Sequence, residues 1–175
     1  QEIATPHKSG NYRQFFGSGT DIYTEGTAVI GHRQGFTNGY GGIRIVKLSG
    51  STWSVEQDIE NYVDSSINFN YQYYMGDCVN ISNDGNTIVA SNATAGNLNY
   101  VFTRSGSTWS FQQVIGNDSS TYNSQEEHMN TNAISGDGNT IALGSNPHGS
   151  NSGTTVDKVY VLSLIHISEP TRRVF

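Results

Sequence analysis

The sequence predicts an all-β fold: a partial β-propeller of four-stranded antiparallel blades, two complete and the others partial. Three observations carry that expectation. A unit of 53–59 residues recurs along the 175-residue chain, and fixed-period self-similarity is the signature of repeat architectures. Each unit holds four short runs rich in β-branched and aromatic residues. The runs are separated by Asp-Gly and Ser-Gly-Ser turn signals.

The repeat is read directly. Ser49-Gly-Ser-Thr-Trp-Ser54 returns unchanged as Ser105-Gly-Ser-Thr-Trp-Ser110, 56 residues later. Asn83-Asp-Gly-Asn-Thr-Ile88 returns as Gly136-Asp-Gly-Asn-Thr-Ile141, and Thr24-Glu-Gly-Thr-Ala-Val29 is a weaker copy. Aligning the glycines brings Phe16-Gly17 opposite Met75-Gly76 and His128-Met129. In the middle unit the first strand is expected at 77–82 and is followed by an Asp84-Gly85 turn, where a tight hairpin needs positive φ. The second strand, 87–91, is rich in β-branched residues. A third is expected at 98–104, and Ser105-Gly106-Ser107 turns the chain into a fourth at 108–115. Tyr100, Val101 and Phe102 are apolar on both faces of their strand, as in a sheet covered on both sides. Gln1-Glu2-Ile3 aligns with Gln57-Asp58-Ile59 and Gln113-Val114-Ile115, the end of a fourth strand. The expected organisation is therefore 1–15 as the end of a preceding blade with its connection, 16–59 as a blade, 60–74 as a loop, 75–115 as a blade, 116–127 as a loop, and 128–161 as a partial blade.

Residues 162–175 are set apart. Leu162-Ser-Leu-Ile-His-Ile-Ser-Glu-Pro-Thr-Arg172 resembles the in-frame translation of a transposon-type sequencing adapter, and such segments are excluded from fold reasoning. The chain is accordingly read as a translated fragment of environmental DNA, an arc of a longer protein. Two complete blades leave sheet faces uncovered, so the fragment expressed alone is expected to aggregate.

The pattern Phe-Gly, then Ile-Ser-x-Asp-Gly-Asn-Thr-Ile, then Tyr-Val-Phe-Thr-Arg-Ser-Gly-Ser-Thr-Trp resembles the FG-GAP repeats of integrin-α-like β-propellers, and more closely their bacterial and viral versions. Kelch propellers are the second choice, suggested by Gly41-Gly42 and the tryptophans, but that doublet does not recur. The resemblance implies a secreted, cell-surface or virion setting and is specific for fold rather than for activity.

Composition restricts the function classes. Nine Lys and Arg against 15 Asp and Glu give a net charge of −6, which argues against a nucleic-acid surface. No apolar run reaches the roughly 18 residues of a membrane helix. The single cysteine, Cys78, precludes an internal disulfide framework and is read as a small buried thiol. Low charge with ten tyrosines and seven phenylalanines argues against disorder.

Individual residues take roles within that frame. Trp53 and Trp109 begin fourth strands and are read as packing between blades. Gly85 and Gly138 are read as turn formers. Asp84 and Asp137 stand where integrin-type repeats carry calcium loops, so calcium is the one cofactor considered. Each string here supplies one carboxylate, whereas calcium takes six to eight oxygens, so a structural turn is preferred. His7, His32, His128 and His148 show no metal-ligand spacing. Asn80, Asn92 and Asn117 begin Asn-x-Ser/Thr sequons.

The connections are expected to be asymmetric. Turns between first and second strands, and between third and fourth, are short; the other connections, 31–40, 60–74, 92–97, 116–127 and 146–157, are long and share the opposite end. Long loops on a rigid scaffold carry binding. Phe36, Tyr40, Tyr62, Phe69, Tyr71, Tyr73, Tyr74 and Tyr122 lie in them among Asn, Gln and Ser, a mixture that suits a glycan or a protein surface. The competing readings are a structural spacer of a large surface or virion protein, and a propeller glycan hydrolase or lyase using carboxylates among Asp64, Asp118, Glu126 and Glu127 with His128 nearby. No nucleophile–base pair is visible, so catalysis is not the preferred reading.

Overall fold

A computed structural model describes residues 1–4, 16–23, 25–33, 41–60, 75–92, 98–116, 127–147 and 158–164. Among these residues the chain is all-β, with eleven strands and no helix. The first sheet holds β1 (Phe16–Tyr23), β2 (Thr27–His32), β3 (Gly42–Ser49) and β4 (Thr52–Glu60), in that spatial order. The second holds β5 (Met75–Ile81), β6 (Thr87–Asn92), β7 (Leu98–Ser105) and β8 (Thr108–Gly116), again in order. The third holds β9 (Glu127–Ile134), β10 (Thr140–Pro147) and β11 (Lys158–Ser163). All neighbouring strands are antiparallel. In the middle unit the expected strands lie within two residues of those observed, and the first begins at Met75 rather than Asp77.

That earlier start has a local cause. Met75 pairs with Asn92 and the register then shifts before Cys78 pairs with Ser91. Phe16 pairs with His32, with the same kind of shift before Thr20 pairs with Ile30. The third copy, His128 opposite Asn146, shows it too. The Phe-Gly position is thus a bulge in each first strand, and Gly17 and Gly76 take its left-handed conformation at φ 81° and 101°. A Cβ on Gly76 would meet the Gly42 carbonyl and lie 2.8 Å from His32 N, so glycine also permits backbone contact between the first two sheets.

The sheets pack in chain order. Ile43, Ile45, Ile59 and Val29 of the first sheet meet Ile88, Ala90, Tyr100, Phe102 and Trp109 of the second in one buried cluster. Val89 and Val101, which alternate with those residues, turn the other way onto Ile141, Leu143 and Leu164. The middle sheet is therefore buried on both faces, as the uninterrupted apolar runs 88–90 and 100–102 require. Burial pushes the Tyr100 phenol up to about 12.

Backbone bonds repeat with the units. Leu48 N donates to Gly26 O, Arg104 N to Asn86 O and Leu164 N to Asn139 O, at 2.7, 2.9 and 2.7 Å. Leu162 and Ser163 complete β11 opposite Ile141 and Thr140. These are the first residues of the adapter-like segment; residues 165–175 lie outside the described ones.

Candidate functional site

The antiparallel registers sort the connections by end. Phe16, His32, Gly42 and Glu60 lie across one end of the first sheet; Tyr23, Thr27, Ser49 and Thr52 lie across the other. The second sheet repeats this, with Met75, Asn92, Leu98 and Gly116 at one end. Connections 33–41, 61–74, 93–97 and 117–126 all leave from that end, whereas the opposite end carries only tight turns. The seven candidate binding residues, Phe36, Tyr40, Tyr62, Phe69, Tyr71, Tyr73 and Tyr122, belong to these connections and lie outside the described residues, as do Tyr74, Asp64, Asp118 and Glu126. Glu127 and His128 open β9.

The strand ends beneath the long connections are polar. His32 is fully buried, with its ring edge-on to Phe16 at 5.3 Å. Arg33 Nε lies 3.3 Å from Asp77 Oδ1, an ion pair joining the first two sheets. Arg44 grips Asp58 with Nε and Nη2, both at 2.7 Å, a fork that fixes geometry as well as charge. Nearer the tight-turn end, Asn80 Nδ2 donates to Asn132 Oδ1 and O at 2.6 and 2.7 Å, joining the second and third sheets. Asn99 is fully buried, and neither its Oδ1 nor its Nδ2 has a hydrogen-bond partner among the described residues. Strand alternation places it on the face of Val101, toward the third sheet.

The turn residues act at the opposite end. Ser82 Oγ donates to Asp84 Oδ1, Asn86 N donates to the same oxygen at 3.0 Å, and Asn86 Nδ2 reaches Oδ2 at 3.3 Å. Asp137 repeats the pattern with Ser135 Oγ at 2.6 Å and Asn139 N and Nδ2 at 3.1 and 3.2 Å. Each carboxylate thus ties its own turn, the Asx arrangement that these residues favour. The Ser135 hydroxyl, followed by the Asn139 donors, holds the Asp137 carboxyl below its ordinary value. Gly85 and Gly138 sit at φ 70° and 72°. A Cβ on Gly85 would lie 2.6 Å from Tyr23 Cε1, so this turn also seats the end of β1. Asp84 N donates to Gly136 O at 2.9 Å, linking one turn to the next. Among the described residues no three His, Cys, Asp or Glu side chains group as metal ligands.

Trp109 sits at the junction of the first two sheets, and Trp53 stands at the matching place in the first sheet beside residue Gln1; each is held through its main chain. Gln57 Nε2 donates to Trp109 O at 2.9 Å, and Trp109 N donates to Gln57 Oε1 at 2.8 Å. Gln1 makes the same pair of bonds to Trp53, both at 2.8 Å. A bulge precedes the glutamine: Ile45 pairs with Gln57 but Val46 with Val55, leaving Glu56 extra. Glu56 Oε1 reaches Arg104 Nη2 at 2.8 Å, and the Arg104 guanidinium lies 5.7 Å from the Trp109 ring centre. The aligned glutamines were visible in the sequence, but their role was not. The 56-residue spacing of Gln1, Gln57 and Gln113 was the signal that could have pointed to it.

One smaller expectation needs revision. Cys78 is free and half-buried rather than fully buried, because the bulge after Met75 turns the strand there. Asn92 is fully buried, and the Asn80 amide is engaged by Asn132, so neither side chain is open to modification in the folded chain. Asn117 lies outside the described residues.

No known family model and no curated protein sequence matches the chain. No helix among the described residues is long and apolar enough to cross a membrane.

Proposed function

We propose that the chain is an arc of an FG-GAP-type β-propeller that serves as a non-catalytic recognition or adhesion module. It binds a glycan or a protein surface through the end carrying the long connections. The observation that supports this reading is the segregation of those connections: four of them leave one end of two consecutive sheets, while the other end has tight turns. Three stacked sheets, the middle one covered on both faces, supply a rigid base, and polar-aromatic connections at that end suit partners that offer both apolar patches and hydroxyls. A setting outside the cytoplasm, on a cell surface or virion, follows from the family resemblance.

Replacing Tyr71 and Tyr73 together by Ala is the test. Retention on a glycan array or on immobilised surface proteins should fall at least tenfold while the urea unfolding midpoint stays unchanged. Unchanged retention would remove the reading.

The Gln57–Trp109 contact favours a second reading, a repeat spacer in a long surface or virion protein, because it spends a chemically capable side chain on sheet-to-sheet cohesion. A spacer shows no retention in the same assay, with or without the tyrosines.

A further inference from the structure

The middle sheet has one face for the sheet before it and one for the sheet after it. The cross-strand row Ile81, Ile88, Phe102 and Phe111 packs toward the first sheet. Val89 and Val101, paired with each other, pack toward the third. The matching bonds Leu48 N to Gly26 O, Arg104 N to Asn86 O and Leu164 N to Asn139 O carry both faces into the other sheets.

In the first sheet the former row becomes Ile22, Ala28, Val46 and Val55. Ile45 turns to the second sheet, so by strand alternation this row turns away from it. Gln1 and Ala4 bond to Trp53 and Arg44 of that sheet, yet Ile22 is 61 % exposed and Val55 49 %, whereas Ile81 is 5 % exposed. In the third sheet the place of Ile45 and Val101 falls to Val161, and that of Ile43 and Asn99 to Val159. Those four are fully buried, whereas Val161 and Val159 are 67 % and 71 % exposed.

The glycines mark the same two faces. A Cβ on Gly31 would lie 1.9 Å from Gly76 O, so this pair sets how closely the first two sheets approach. Gly144 holds the place of Gly31 in the third sheet, and Gly17 that of Gly76 in the first. Among the described residues a Cβ on Gly17 would meet nothing within 4 Å, and one on Gly144 would meet only Thr131 of its own sheet.

We infer that these two outer faces bind each other, the third sheet of one copy of this chain against the first sheet of a second copy. Val159 and Val161 act as Ile43 and Ile45 do, the second copy's Ile22 and Val55 act as Ile81 and Phe111 do, and Gly144 admits the bulge at Gly17. A second copy fits because both halves of the repeated junction are present on this one chain. The two faces differ, so the association is head-to-tail and extends to a ring or an open stack. The inference rests on the sheet junctions and stands apart from any reading of the loop end.

Sedimentation velocity of the full chain tests it, with Val161→Lys and Ile22→Lys, two substitutions at exposed positions. The parent should grow in mass with concentration, beyond a dimer. Each variant alone keeps one intact face and should associate at least about tenfold more weakly. An equimolar mixture of the two should recover association but stop at a heterodimer, since lysine then stands on both of its outer faces. If urea unfolding shows either variant misfolded, Val159→Lys and Val55→Lys repeat the experiment from neighbouring positions. A monomeric parent, a variant that associates as the parent does, or a mixture that fails to pair or grows past the heterodimer would each overturn the inference.

Discussion

The side-chain amide of Gln57 reads the main chain of Trp109 from the neighbouring sheet, donating at 2.9 Å and accepting at 2.8 Å across 52 residues of sequence. Trp109 is only 3 % exposed, so water does not readily replace those bonds. Gln57→Ala is expected to destabilise the chain by about 1–3 kcal/mol, the cost of stranding two buried main-chain groups. Gln57→Glu should recover part of the loss, since a carboxylate still accepts from Trp109 N but cannot donate to its carbonyl. Urea unfolding of both variants checks the ranking; a Gln57→Glu chain less stable than Gln57→Ala would contradict it.

Two positive-φ glycines separate strain from contact. Gly50 sits at φ 62° with open space around a notional Cβ, whereas a Cβ on Gly85 would meet Tyr23. Gly50→Ala should therefore cost only the left-handed penalty of about 1–2 kcal/mol. Gly85→Ala should cost roughly 1–3 kcal/mol more, the usual scale of overpacking. Adding Tyr23→Leu to the Gly85 variant should recover the second part alone, and a double-mutant cycle by urea unfolding measures it.

Stability should fall at both extremes of pH. The Asp137 carboxyl lies below its ordinary 3.8 in the folded chain, so its contribution is present above that value and is lost as pH drops through the folded one. Asp137→Asn should flatten this acid limb. The Tyr100 phenol, raised from 10.0 to about 12, contributes fully below pH 10 and loses its contribution as pH climbs toward 12. Tyr100→Phe should flatten the alkaline limb. Unfolding midpoints against pH, for the parent and each variant, decide both.

Asn99→Val should leave the chain unchanged or stabilise it by about 1–3 kcal/mol, because the buried amide it removes makes no hydrogen bond among the described residues. A loss of stability in thermal or urea unfolding would mean that the amide is satisfied in solution.

Much of the β architecture was legible because turn chemistry and alternation are local. Asp84-Gly85 and Asp137-Gly138 marked their hairpins, and the run through Tyr100, Val101 and Phe102 marked a strand buried on both faces. The bulges at Met75 and Glu56 were not legible, since a register shift depends on the partner strand rather than on the residues themselves. For the same reason Gln57 looked like an ordinary polar strand residue: its partner lies 52 residues away on another sheet. The loop aromatics were legible as a cluster by composition, and the bulk of their expected role belongs to the binding assay.

The glutamine contact also has a direction. A strand holding glutamine lies on one sheet and the tryptophan it holds lies on the next, so the junction is head-to-tail and not self-complementary. The order of the sheets along the chain is thereby written into the contact: the earlier sheet holds with a side chain, and the later one is held by its backbone.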